Sequence, residues 1–225
     1  GSASADTITG STGVNLIETQ DGNDTIFASG GGDIFDGGNN NDTVDYSTGG
    51  ATFINVVLAG ADDATVTVGG GTNDTVRNIE NVVGTAGADI ITGDGGNNTL
   101  NGSGGNDTLS GRGGIDTLNG GGGNDTASYA TALNDIFVDL NAGSASNDGD
   151  GASDTLTSIE NVVGSTHNDT IRGDAVANIL DGGSGNDTLM GRGGNDSLVG
   201  GIGSDTADYS LAVGQVIVDL LADRK

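Results

Sequence analysis

The sequence predicts an all-β solenoid, and three observations predict it. A nine-residue pattern, Gly-x-x-Gly-x-Asp-x-aliphatic-x, recurs fifteen times in three runs of five, with its phase held inside each run. Glycine supplies 45 of the 225 residues, and nowhere does a 3.6-residue apolar pattern run long enough for a helix. The apolar residues fall at one repeat position and the acids at another, such as Ile8, Ile26, Val44, Leu100 and Leu189 two residues after an acid or amide. A fixed short period of this kind decides architecture before any propensity argument.

In the first run the sixth position is Asp6, Asn15, Asp24, Asp33 and Asp42. In the second it is Asp89, Asn98, Asp107, Asp116 and Asp125, and in the third Asp169, Asn178, Asp187, Asp196 and Asp205. A second, longer period frames these runs. Each ends in a tyrosine (Tyr46, Tyr129, Tyr209), spaced by 83 and then 80 residues. An alternating segment follows each tyrosine: Ile54, Val56, Leu58; Ile136, Val138, Leu140; Val216, Val218, Leu220. Period two marks a half-buried strand. The polar stretches 59–73 and 141–153 read as loops. Each spacer closes on Ile-Glu-Asn-Val text at 79–82 and 159–162, read as a coil-closing strand with Glu80 and Glu160 at an edge. The expected organisation is a first block 1–47, spacer 48–83, second block 84–130, spacer 131–163, third block 164–210 and a strand segment 211–225. The unit reads as cut at both ends, so a fragment of a longer array is expected.

Composition restricts the partners. Thirty-two acidic residues against six basic ones leave a net charge of −26, and only 3% of residues are aromatic. A disordered acidic chain could have that composition, but it would not keep a nine-residue phase. Nucleic acid and other polyanions need clustered Lys or Arg. Here Arg77, Arg112, Arg172, Arg192, Arg224 and Lys225 are scattered. No apolar stretch reaches the ~20 residues of a transmembrane helix. The chain has no cysteine, which excludes disulfides and thiolate metal sites. Catalysis finds little support: no Gly-x-Ser-x-Gly or His-Glu-x-x-His is present, and the single histidine, His167, reads as a substituted fourth-position glycine. The expected protein is not an enzyme.

Within one nonapeptide, glycines at the first and fourth positions permit a tight turn, and the last three residues suit a short strand with its aliphatic member inward. Two turns and two strands close an eighteen-residue coil, with coils stacked ~4.8 Å apart. Odd and even repeats then stack on opposite edges, and the Asp of one repeat lies under the Asp two repeats on. Paired carboxylates beside turn carbonyls make an all-oxygen site, which suits Ca²⁺ better than Mg²⁺ or a soft metal.

Gly182-Gly183-Ser184-Gly185-Asn186-Asp187-Thr188-Leu189-Met190 resembles the RTX, or haemolysin-type, calcium-binding repeat. The resemblance extends over essentially the whole chain. It implies a right-handed parallel β-roll with several Ca²⁺ ions between successive turns. Each ion would take the second- and fourth-position carbonyls and the Asp of one repeat. It would also take the first- and third-position carbonyls and the Asp two repeats later. One implied site uses Ser103, Gly105 and Asp107 with Gly120, Gly122 and Asp125. Its counterpart uses Gly183, Gly185 and Asp187 with Gly200, Ile202 and Asp205. The same rule joins Asp6 to Asp24, Asp24 to Asp42, Asp89 to Asp107 through Gly102 and Gly104, and Asp169 to Asp187 through Gly182 and Ser184. Asn15, Asn98 and Asn178 stack against Asp33, Asp116 and Asp196, so the even gaps are expected to hold calcium less well.

Asp74 and Asp154 sit in turn-like text and could add an ion. The tyrosines are expected to cap each run's core. Threonine recurs at the seventh position, as at Thr108, Thr117, Thr126 and Thr188, but Ile34, Ile90 and Ile179 interrupt the array, so strand propensity explains it better than ice or surface binding. The functional expectation is a non-catalytic module that folds on Ca²⁺ after export through the type I secretion machinery, and so is extracellular or at the cell surface. The alternatives are a structural array of a surface layer or adhesin, with self-assembly contacts, and a C-terminal module of a secreted enzyme.

Overall fold

Each nonapeptide folds as a turn followed by a short strand, as its glycines and its Thr-aliphatic pair dictate. The computed structural model describes residues 1–211. The first run gives β1 (Thr7–Thr9), β2 (Leu16–Glu18), β3 (Thr25–Phe27), β4 (Ile34–Asp36) and β5 (Thr43–Asp45). The second gives β10 (Ile90–Thr92), β11 (Thr99–Asn101), β12 (Thr108–Ser110), β13 (Thr117–Asn119) and β14 (Thr126–Ser128). The third gives β19 (Thr170–Arg172), β20 (Ile179–Asp181), β21 (Thr188–Met190), β22 (Ser197–Val199) and β23 (Thr206–Ala207). No helix occurs among the described residues, so none is long and apolar enough to cross a membrane.

Within a run, successive strands alternate between two sheets and pair in parallel at a spacing of eighteen residues, as Ile8 does with Ile26 and Leu100 with Leu118. The fold is an all-β parallel β-roll. Its core is the strip between the sheets, where Ile26, Phe35, Val44, Ile91, Leu109 and Ile171 are buried.

The spacers contain more strand than their composition suggests. β6 (Ile54–Val57), β7 (Ala64–Val68) and β8 (Asp74–Arg77) form an antiparallel meander, and so do β15 (Phe137–Asp139), β16 (Ser144–Asn147) and β17 (Asp154–Thr157). The stretches 59–73 and 141–153, expected as loops, therefore each contain a strand. In the first, Ala64 and Val66 turn inward while Thr65 and Thr67 face out, an alternation the surrounding Gly and Asp residues obscure. β9 (Asn81–Val83) and β18 (Asn161–Val163) are the expected closing strands. Tyr46 and Tyr129 are buried at the ends of the first two runs. The strand expected at Val216–Leu220 lies outside the described residues.

Each meander runs backwards relative to the stack. β8 seats on β4 of the preceding run and β6 on β10 of the following one, so the order in that sheet is β4-β8-β7-β6-β10. The first meander joins the sheet of β2 and β4, while the second joins the sheet of β1 and β3, as β13-β17-β16-β15-β19. Five nonapeptides, a meander and a closing strand fill an odd number of places, so every run begins in the sheet opposite to the last. This also corrects the threonine reading. Ile34, Ile90 and Ile179 all belong to one sheet, and the other has Thr7, Thr25, Thr43, Thr99, Thr117, Thr155, Thr170, Thr188 and Thr206 at the matching place, broken by Asn81 between Thr43 and Thr99 and by Phe137 beside Thr170. The isoleucines do not interrupt that row; β-branched residues simply suit both outer faces.

Candidate metal centre

The sixth-position residues form two ladders, one at each edge. On one edge the backbone N–H of Asp6 donates to Asp24 Oδ1 (2.6 Å) and that of Asp24 to Asp42 Oδ1 (2.8 Å). The N–H of Asp42 then donates to Glu80 Oε2 (2.8 Å), and the ladder continues from Asn98 to Asp116 (2.7 Å) and from Asp116 to Asp154 (3.1 Å). Past the second meander it resumes through Asp169, Asp187 and Asp205. The other edge runs Asn15, Asp33, Asp74, then beyond the first meander Asp89, Asp107, Asp125, Glu160, Asn178 and Asp196. Asp74, Asp154, Glu80 and Glu160 are thus rungs of the same ladders. The Asn rung changes edge from run to run, because the runs start in opposite sheets.

One carboxylate oxygen is used in this way; the fate of the other divides the turns into two kinds. In the first two repeats of every run, the N–H of the second-position residue closes the remaining oxygen. Ser2 donates to Asp6 (2.6 Å), Thr85 to Asp89 (2.6 Å), Ser165 to Asp169 (2.6 Å), and Ser11, Asp94 and Asp174 to the oxygens of Asn15, Asn98 and Asn178. The amide nitrogens of Asn98 and Asn178 donate to the carbonyls of Glu80 and Glu160 (3.0 and 2.8 Å). Each asparagine is therefore satisfied by protein alone.

Later repeats differ. Their second residue is left-handed: Gln20 (φ 78), Ser103 (φ 72), Arg112 (φ 68) and Arg192 (φ 66) where it is not glycine, and Gly38, Gly121, Gly183 and Gly201 elsewhere. Holding an L-residue there costs ~1–2 kcal/mol, and it withdraws the closing N–H. The repeat at 28–33 is intermediate: Ser29 is not left-handed and its hydroxyl stands 3.4 Å from Asp33. In the open turns, Oδ2 of Asp24, Asp42, Asp107, Asp116, Asp125 and Asp187 is buried with no hydrogen-bond partner. Buried oxygens seldom stay orphaned without a reason such as an ion.

Adjacent turns also meet through their backbones. The 102–107 and 120–125 turns touch through Gly122 N–H to Ser103 O (3.0 Å) and Gly105 N–H to Gly122 O (2.9 Å), and Ile202 and Gly185 repeat this with Gly183 and Ile202 (2.9 and 2.8 Å). A Cβ on Gly123 or Gly203 would overlap the carbonyl oxygen of Gly105 or Gly185, so only glycine leaves this space open. The residues implied for the two fully specified sites are thus brought together. Among the described residues no three His, Asp or Glu side chains could hold an ion unaided, so carboxylate pairs need these backbone oxygens. The residues fit Ca²⁺, which accepts mixed carboxylate and carbonyl oxygens.

Electrostatics agree. Burial pushes Asp107 up to about 7, with the charges of Asp89 and Asp125 adding to it. Burial likewise raises Asp42 and Asp116 to about 6. The described ion pairs lie elsewhere: Arg77 with Asp36 (2.8 Å) and Asp63 (3.1 Å), and Asp139 with Arg192 (2.6 Å) and Arg172 (3.9 Å). No basic side chain among them reaches a ladder carboxylate.

Stacked acidic turns with orphaned oxygens on a parallel β-roll define a calcium-binding repeat protein. The family model of the RTX calcium-binding nonapeptide repeat matches residues 1–35, 9–44, 18–53, 78–109, 101–128, 148–189, 163–198 and 172–207. The chain belongs to that family. None of the curated proteins matches it. The family matches omit 54–77 and 129–147, most of the two meanders, and 208–225. Sequence reasoning missed the Glu rungs and the two kinds of turn. The usable signal was the second position, which is Ser, Thr or Asp in closed turns and Gly, Gln, Arg or Ser103 in open ones.

Proposed function

We propose that the chain is a non-catalytic module that folds when Ca²⁺ fills the gaps flanked by open turns, and that this happens after export. The observation that supports it is the set of buried, orphaned Oδ2 atoms. Each nonapeptide buries about one aliphatic side chain, worth ~1.5–3 kcal/mol. An uncompensated buried carboxylate costs several kcal/mol, so the ladder is unfavourable until a cation fills it. Because no site exists in the unfolded chain, binding and folding are linked. A site at calcium tenfold above its Kd contributes about 1.4 kcal/mol.

The sixth-position residues would be the side-chain ligands, with Asp24–Asp42, Asp107–Asp125 and Asp187–Asp205 the best gaps because both members lie in open turns. Proteins with these repeats are typically secreted bacterial proteins, and millimolar extracellular calcium suits low-affinity modules. In calcium-poor cytosol the chain would stay unfolded and exportable. Far-UV circular dichroism should show β structure in millimolar calcium and its loss in excess EGTA; unchanged spectra would rule the reading out.

A further inference from the structure

The two spacers meet the preceding run at equivalent places, above the turns at 28–33 and 111–116. In the first, Thr72 donates its hydroxyl to the carbonyl of Gly31, and the 69–73 connection that carries it contains no acid; the exposed Asp62 and Asp63 lie at the opposite end of β7. The turn's fourth-position carbonyl is capped by protein. In the second, the residue matching Thr72, two before the ladder aspartate, is Ala152, which has no hydroxyl. A carboxylate is there instead. Asp148 is fully buried, and its Oδ1 accepts the N–H groups of Asp150 (2.8 Å), Gly151 (2.9 Å) and Ala152 (3.0 Å). Its Oδ2 is buried with no partner, as is Oδ2 of Asp116 below it.

The loop carrying Asp148 lies over the 111–116 turn: a Cβ added to Gly113 would stand 3.8 Å from Asp150 Cβ. Asp154 has no oxygen to spare, since Oδ1 takes the Asp116 N–H (3.1 Å) and Oδ2 the Tyr129 hydroxyl (3.2 Å). Asp116 and Asp148 are therefore the two carboxylates at this junction with a bare Oδ2. No described ion pair involves either of them.

We propose a calcium site outside the repeat pattern, between the 111–116 turn and the 148–152 loop, with Asp116 and Asp148 as carboxylate ligands and carbonyls of the turn completing the shell. Asp154 and Tyr129 position the pair. Asp148 supplies the negative oxygen that a further nonapeptide would have offered, so this ion joins the second run to its spacer. The first spacer has no equivalent, because Thr72 already caps its turn.

The inference rests on the reading that the open turns hold calcium, and the experiment separates the two. Bound calcium is counted by native mass spectrometry on the 225-residue chain, Asp148→Asn and Asp62→Asn. Asparagine keeps Oδ1 for the three N–H groups and removes the charge. The expected result is one ion fewer in Asp148→Asn and an unchanged count in Asp62→Asn. An unchanged count in Asp148→Asn overturns the spacer site and leaves the repeat sites standing; no calcium on the unaltered chain overturns the broader reading. Should Asp148→Asn not fold, a crystal of the unaltered chain in calcium decides. An anomalous peak within ~2.6 Å of both carboxylates supports the site, and water there overturns it.

Discussion

The opening and closing halves of a run use nearly the same nonapeptide for opposite ends. In the first two repeats the turn satisfies its own sixth residue, as Thr85 does for Asp89 and Asp94 for Asn98. In the last repeats the backbone at Ser103, Arg112 or Gly121 is left-handed, the closing N–H is withdrawn, and a buried oxygen is left bare. A run therefore begins with rungs that the protein closes itself and ends with rungs whose second oxygen it leaves open. A difference of one backbone angle at the second position separates a turn that closes its own carboxylate from one that leaves an oxygen bare.

Chelation gives the largest effect on this comparison. Excess EGTA should remove hydrogen-exchange protection from the strands flanked by open turns, β12 and β14 among them, and equal protection in both calcium states would break the distinction. Next comes Asp107→Asn, which removes a carboxylate from the Asp107–Asp125 gap, where both turns are open. Its calcium midpoint should rise about tenfold, equivalent to ~1.4 kcal/mol, in a circular dichroism titration. Asn98→Asp should gain no ion and lose ~1 kcal/mol in urea denaturation, because the hydrogen bond to the Glu80 carbonyl goes. A gain in calcium count would show that the asparagine, not the turn, sets competence.

The pH response of the metal-free chain is a further test. Asp107 and Asp116 have folded-state values of about 7 and about 6, above the ~3.9 of an unfolded aspartate. Protonation therefore favours the fold, so in chelator stability is greatest below pH ~4 and falls as pH rises towards 7. In chelator, the β signal in far-UV circular dichroism should accordingly be regained as pH is lowered from 8 to 4, and its further loss would contradict the buried, unpaired ladder. The smallest effect is Ser103→Gly, which relieves left-handed strain. It should stabilise the calcium form by ~0.5–1 kcal/mol without changing the ion count.

Much of this was legible along the chain. Phase placed Ile26, Leu100 and Leu189 in the core and every sixth-position residue on an edge, because a nine-residue turn and strand can stack in only one register without exposing its aliphatic residue. The meander strands at 64–68 and 144–147 were obscured by Gly, Asp and Ser, residues usually found in loops. Glu80 and Glu160 as rungs were hidden by side-chain length: only the stacked backbone shows that a longer carboxylate reaches the N–H of Asp42 and Asp125. Asp148 carries no motif at all.

The sequence by itself determined the coil, its inward aliphatic strip and its acidic edges, since all three follow from a local period. Only the tertiary structure decided which edge each run occupies, which oxygens remain bare and where a spacer acid meets a run. Those depend on an odd count of strand places, on a backbone angle and on residues far apart in the chain, none of which a nine-residue window contains.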